Sequence, residues 1–204
     1  MPEPAAEIHA RAVAAAIDGH LSAPAMTEWE IFPWEVVGGA IAPKALAAPG
    51  VEAPRAGEQG GEPCSSCAGF DPDTIVWEDE HWVLTAALEP SGLPLVLVLH
   101  TREHEDAGEI DDDLASEFGR ISNRLVRIIQ GLPGIGRLHV NRWGDGAEHF
   151  HVWFFARPAG FAQIKGSYAV EWDDILPPVD DAVRRADLHT VATKLANWGG
   201  HARA

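Results

Sequence analysis

The residues of this 204-residue chain best suited to chemistry are its two cysteines and a subset of its ten histidines. Cys64-x-x-Cys67 puts two thiolates on one tight turn, where they can clasp a single tetrahedral ion. The alternatives for so short a motif are a redox pair and two incidental cysteines. With no further cysteine in the chain, the remaining ligands of a metal site have to be histidines. His104, just beyond the apolar run LVLVLH (95–100), and His149, which opens HFHVWFF (149–155), are candidates. His100 and His139 are alternatives whose plainer role is that of a hydrogen-bonded histidine at a strand end. His9, His20, His189 and His201 lie in terminal segments and read as surface residues. His149 and His151 are two positions apart on an expected strand, so both side chains point the same way, about 7 Å apart at their roots. One can hold an ion while the other faces a pocket. Trp153 continues that face, which can equally be read as core, except that a buried imidazole pair needs polar partners.

The elements that must position these groups are legible in the periodicity. TIVW (74–77) and HWVLTAA (81–87) flank an acidic turn and read as a hairpin. LVLVLH reads as a central strand. Asp111-Asp112-Asp113 opens a helix whose apolar residues are Leu114, Phe118, Ile121, Leu125, Ile128 and Ile129, a 3/4 spacing. Its acidic start suits the positive end of the helix dipole, and Gly131 with Pro133 ends it. RLHVN (137–141) and HFHVWFF are two more strands. Leu188, Val191, Leu195 and Trp198 outline a second amphipathic helix, and residues 5–19, with Ile8, Val13 and Ile17, a weaker one. WEIFPWEVVGGAIA reads as an extended segment interrupted by Pro33 and by a glycine pair. Residues 42–62, rich in Pro, Ala, Gly and Glu, read as a linker. The expectation is an α+β fold, a mainly antiparallel sheet with helices on one face. A core domain over 63–160 would carry an N-terminal extension and linker (1–62) and a C-terminal extension (161–204).

Bulk properties narrow the function. Hydrophobic residues make up 46% of the chain and it has eight tryptophans, enough for a packed core. No apolar run approaches the ~20 residues of a membrane helix. The first residues lack a basic leader followed by an apolar stretch, so a cytoplasmic protein without membrane association is expected. A net charge of −16 repels polyanions and argues against nucleic-acid binding, while leaving room for a small nucleotide in a local pocket.

The stretch from DTIVWEDEHWVLTAALEPSGLPLVLVLHTREH through the acid-capped helix to LHVNRWGDGAEHFHVWFFARP resembles the histidine triad (HIT) superfamily, with its galactose-1-phosphate uridylyltransferase-like branch. The resemblance covers about residues 64–158. It implies a zinc ion held by Cys64, Cys67, His104 and His149. It also implies a catalytic His151 that attacks the α-phosphorus of a nucleotide and forms a covalent nucleotidyl-histidine. Asn141, Gly144 and Gly146 fall where members contact phosphate or support the nucleophile. Glu148, Trp153 and Arg157 complete the expected substrate contacts, with Arg102 and Arg142 as further anion candidates. A neutral imidazole is a competent nucleophile near pH 7, and a hydrogen bond at one nitrogen aims the other's lone pair. A zinc with four protein ligands has no open position and would be structural, fixing the strand that carries His151. The resemblance also implies a homodimer.

The chain departs from the family pattern at several positions. Trp153 replaces the third histidine, and Phe150 stands where the uridylyltransferase branch has proline. Ala147 and Glu148 replace polar loop residues. The acidic residue expected near the ribose falls at Leu88, with Glu89 as a stand-in. The expected function is a zinc-containing nucleotidyl hydrolase or transferase acting on a small nucleotide or phosphorylated substrate. The alternatives are an enzyme repurposed for another specialised metabolite and a non-catalytic, zinc-stabilised binding protein.

Overall fold

The computed structural model describes residues 1–22 and 32–204. Its elements are α1 (Ala5–Ala15), β1 (Trp34–Val37), β2 (Ala40–Pro43), a 3-10 turn (Pro72–Thr74), β3 (Ile75–Glu78), β4 (Trp82–Thr85), β5 (Val96–Thr101), α2 (Asp112–Gln130), β6 (Ile135–Asn141), β7 (His151–Pro158), α3 (Tyr168–Ile175), α4 (Asp181–Ala196) and β8 (His201–Ala202). β1 and β2 form a separate hairpin across Gly38 and Gly39, both at positive φ. The glycine pair thus turns the chain back on itself, and the first residues of the expected extended segment lie outside those described. The main sheet runs β6-β7-β5-β4-β3-β8 with every pairing antiparallel, so the α+β expectation holds.

β5 lies inside this sheet and shows how the two faces divide. Its residues alternate in burial, because successive side chains of a strand point to opposite faces. Leu97 and Leu99 join Leu84, Val152, Phe154 and Ala156 beneath α2 and α4. Val96, Val98 and His100 line the opposite face, where His100 sits across from His151 and Val98 from Trp153. α2 begins where expected: Asp111 caps it by accepting from the Leu114 amide at 2.8 Å, and Asp112 and Asp113 fill its first turn. It buries Ile121, Leu125, Ile128 and Ile129. Removing one such fully buried leucine, Leu125 for example, would cost about 2–5 kcal/mol.

Two expectations need correction. The final core strand begins at His151 rather than His149, because the amide of Phe150 donates to the Glu105 carbonyl (2.7 Å) and ties 149–150 to the loop after β5. α4 ends at Ala196, so Trp198 is not part of the buried face and stays 53% exposed. α3 had no counterpart in the sequence reading. It contributes Ala169 to a smaller cluster with Leu93, Phe155, Ile164 and Leu176. Asp173 anchors it there by accepting from the Leu93 amide at 2.7 Å.

Candidate metal centre and adjoining pocket

The turn 64–67, the loop after β5 and the residues leading into β7 converge on one point. Cys64 Sγ lies 3.4 Å from His149 Nδ1, Cys67 Sγ 3.1 Å from His104 Nδ1, and Cys67 Sγ 3.6 Å from His149 Nδ1. All four donor atoms fall within 4.8 Å of one another, the only such group of His, Cys, Asp and Glu side chains among the described residues. A tetrahedral zinc with bonds of about 2.0–2.3 Å has ligand-to-ligand edges of about 3.3–3.8 Å. The three sulfur–nitrogen separations lie at or close to those edges.

The outer nitrogens of both histidines are already taken. His149 is 1% exposed, and its Nε2–H donates to the Thr101 carbonyl at 2.8 Å. His104 Nε2–H donates to Glu148 Oε2 at 3.0 Å. Each bond places the proton on Nε2 and leaves the Nδ1 lone pair aimed at the cysteines, the usual support for a metal-ligating histidine. Before any ion binds, the Glu148 hydrogen bond raises the His104 pKa. Burial lowers that of His149. Burial also opposes ionisation of both thiols. At Cys64 the hydrogen bonds from the Cys67 amide and thiol win, so its pKa falls; at Cys67 burial and the neighbouring Cys64 raise it.

The segment read as linker closes over this centre. Ala56 makes a parallel bridge with Ala147: its amide donates to Gly146 O (3.1 Å), and the Glu148 amide donates to its carbonyl (2.9 Å). The Arg55 guanidinium donates to Gly144 O (3.0 Å), Asp106 Oδ2 (2.9 Å) and Glu58 Oε1 (2.7 Å). Gly57 has φ +99°, and a Cβ there would sit 2.7 Å from His104 Cε1. Sequence reasoning missed Arg55, Gly57 and Asp106. The composition of 42–62 masked Arg55 and Gly57, whose one signal was an arginine in a stretch otherwise short of cations, and Asp106 was one of many loop carboxylates.

Behind the cysteine turn, on the side of β5 opposite α2 and α4, is a pocket of about 440 Å³ walled by His100, His151, Trp153, Thr85, Val98 and Phe70. Ser65, Ser66 and Asp71 close its rim, so the turn holding the cysteines is also a wall of the pocket. His151 Nδ1–H donates to the His149 carbonyl at 2.8 Å. His100 is packed against Phe70 and bonded to Thr85 Oγ1 at 3.1 Å. Burial, with small additions from His151 and His149, pushes its pKa down to about 3, so it is neutral.

Of the substrate contacts expected from sequence, Trp153 lines this pocket. The others lie elsewhere. Asn141 pairs with Trp153 across β6 and β7 but is not in the pocket wall. The carbonyls of Gly144 and Gly146 are occupied by the Arg55 and Ala56 contacts. Glu148 turns toward His104, which removes the repulsion a carboxylate would exert on a phosphate. Arg157 NH1 donates to Phe161 O at 2.9 Å. Arg142 pairs with Asp106 (2.6 Å) and Arg102 with Glu78. Leu88 and Glu89 line a different cavity, shared with Arg184 and Arg185.

The fold and site together define an α+β protein in which a Cys₂His₂ cluster braces a histidine-lined pocket. Among solved structures, the chain is similar to a hypothetical histidine triad nucleotide-binding protein from Sulfolobus tokodaii (18% identity, 61% of this chain and 84% of that one, TM-score 0.44). It is also similar to a zinc-bound histidine triad family protein from Mycobacterium smegmatis (15%, 61% and 85%, 0.41). A third is a histidine triad protein from Bradyrhizobium japonicum (18%, 59% and 89%, 0.45). No family model matches the chain, and no curated protein matches it in sequence. No helix among the described residues is long and apolar enough to cross a membrane.

Proposed function

We propose that the chain is a zinc-containing nucleotidyl hydrolase or transferase of the histidine triad type, working through a covalent intermediate on His151. The observation that carries this reading is the hydrogen bond from His151 Nδ1 to the His149 carbonyl, in a side chain that lines the pocket. With the proton held on Nδ1, the ring keeps its Nε2 lone pair for attack on phosphorus. As the Nε2–P bond forms, the bond from phosphorus to the leaving oxygen breaks and that oxygen takes the electron pair. Water or another hydroxyl acceptor then attacks phosphorus and loses its proton to solvent, and the N–P pair returns to Nε2. The His149 carbonyl dipole opposes the positive charge that the ring carries while phosphorylated.

The same pocket restricts the leaving group. The Trp153 indole N–H is far too weak an acid to protonate a leaving group, and neutral His100 is not a general acid near pH 7. A leaving group stable as an anion, such as phosphate, pyrophosphate or a sugar phosphate, therefore suits the site better than an amine. Cys64, Cys67, His104 and His149 would hold a zinc ion, which would supply a structural cross-link between the cysteine turn that walls the pocket and the residue whose carbonyl orients His151.

A second reading rests on the pocket wall itself. No lysine or arginine is part of it, Asp71 is, and Phe70, Val96, Val98 and Trp153 make it largely apolar. That lining favours a compact, weakly charged aromatic metabolite, turned over or merely bound. Intact-mass spectrometry during incubation with nucleoside diphosphate sugars and dinucleoside polyphosphates separates the readings. A nucleotidyl adduct and turnover, both lost in His151→Ala with zinc content unchanged, is the expected result. Thermal stabilisation by a ligand with neither adduct nor turnover would leave the binding-protein reading in its place.

A further inference from the structure

On the far side of the sheet from His151, α2 presents a feature that the proposed chemistry does not use. Arg120, Arg124 and Arg127 recur at i, i+4 and i+7, which puts them within ~60° of arc and along ~10 Å of one helix. Elsewhere in the molecule Arg11, Arg55, Arg102, Arg142, Arg184 and Arg203 each pair with a carboxylate. None of the three α2 guanidiniums has a carboxylate partner among the described residues. In a chain of net charge −16, three unneutralised arginines on one stripe form a local inversion of the molecule's field. They border a cavity of about 570 Å³, completed by Ser116, Asn123 and Trp198, with no acidic residue in its wall.

Trp198 is held there by the backbone around it. Its amide donates to Leu195 O (3.0 Å) and the next amide, Gly199, to Ala196 O (3.1 Å). The Trp77 indole N–H donates to Gly199 O at 3.0 Å. Gly200 takes φ +72°, and a Cβ there would lie 2.5 Å from the Trp77 ring. The chain then pairs with β3 through His201 and Ala202. A turn pinned on both sides thus keeps a tryptophan 53% exposed, with the Arg124 guanidinium 5.4 Å from its ring.

We propose that this groove binds a nucleoside polyphosphate, with its phosphates along Arg120, Arg124 and Arg127 and its base stacked on Trp198. Guanidinium groups recognise phosphate oxygens in paired hydrogen bonds, and their long side chains can converge on a short phosphate chain from one helix stripe. An exposed indole offers any base a flat apolar surface. The cavity has the volume of a small-molecule site. A nucleic-acid polymer would extend beyond the stripe into the surrounding negative field, whereas a single nucleotide stays within a Debye length of about 8 Å of the arginines. The site is separated from the His151 pocket by the sheet and the helix-side core, so it is a second site and not a substrate subsite.

Calorimetric titration of the zinc-loaded full chain in its His151→Ala form, to silence turnover, tests the proposal with ATP and with inorganic tripolyphosphate. Saturable ATP binding is expected. In the Arg120→Gln/Arg124→Gln/Arg127→Gln variant it should weaken by about 100-fold or more, since each charge-assisted contact accounts for roughly tenfold or more. Trp198→Ala should weaken ATP by about fivefold to 100-fold and leave tripolyphosphate unchanged. The three arginines have no carboxylate partner to lose, only the Arg124–Trp198 contact, and an unchanged melting temperature verifies folding. No saturable ATP binding overturns the proposal, as does a number of bound ATP per chain that the triple variant leaves unchanged. A dimer that the triple variant converts to monomer also overturns it, because the face would then be covered by a second copy. Equal losses for ATP and tripolyphosphate in Trp198→Ala overturn the stacked base. None of these results bears on the chemistry assigned to His151.

Discussion

His149 and His151 are two residues apart, and the difference between them separates support from reaction. His149 is buried, with one nitrogen bonded to the Thr101 carbonyl and the other directed at the cysteines, so nothing of its ring remains for a substrate. His151 spends one nitrogen on the His149 carbonyl and lines the pocket with the rest of its ring. The peptide between them couples the two: the same residue that offers a ligand nitrogen offers the carbonyl that orients its neighbour. A structural site and a reactive site can thus share a few atoms without sharing a job.

The strongest test exchanges the two residues as targets. His151→Ala should lower turnover by on the order of 10⁴-fold, about 5.5 kcal/mol of barrier, while zinc content and melting temperature stay near wild type. His149→Ala should release the metal and lower stability by several kcal/mol, a fall in melting temperature of roughly 10 °C or more. Metal analysis beside thermal unfolding reads both. If His151→Ala also empties the site, the division drawn between the two residues is wrong.

How far the sequence reaches follows the same division. Strand alternation and helix periodicity are local, so β3, β4, β5, β6 and α2 could be read from their own residues, as could the acidic cap at Asp111. Residue types narrowed the ligands of a metal site to Cys64, Cys67 and a few histidines, and it took the resemblance to the histidine triad superfamily to choose His104 and His149 over His100 and His139. The supports were not legible. Arg55 reaches Asp106 and Gly144 across long stretches of chain, and no local pattern announces such a contact. Glu148 stands where the histidine triad pattern has a polar loop residue, which suggests a substrate contact, whereas its carboxylate pairs with His104. His100 carried no signal for the pocket beyond its type, since its place opposite His151 depends on the register of β5 against β7.

The strap over the metal side offers the next sharpening. Gly57→Ala forces a side chain into a left-handed backbone position and against the His104 ring, at a cost of about 2–3 kcal/mol. The loss should fall on zinc retention against a competing chelator, with kcat of the loaded enzyme little changed. An equal fall in kcat would place the strap in the reactive half of the comparison. A smaller effect of the same kind is expected for Glu148→Gln. It keeps the shape but weakens the bond that orients His104, so zinc affinity should drop about 10–100-fold. KM should stay put, because Glu148 faces the ligand and not the pocket. A rise in KM with intact zinc affinity would return Glu148 to the substrate.

A third histidine, outside both regions, sets the floor of the scale. His81 Nδ1 lies 2.9 Å from Glu117 Oε2, and that hydrogen bond raises its pKa above the ordinary 6.5. A raised folded-state pKa contributes stability that is fully present below 6.5 and is lost as pH climbs through the folded value. Both partners are solvent-accessible, so the contribution is about 0.2–0.5 kcal/mol, or roughly 1 °C. Glu117 also accepts from the Trp82 indole at 3.1 Å, which Glu117→Gln retains through its amide oxygen. The variant should therefore melt slightly below wild type near about pH 5.5 and match it near about pH 8.5, where His81 is neutral in both. A gap that does not change with pH would mean that the carboxylate acts through Trp82 and the core beneath it, and that His81 contributes nothing to the fold.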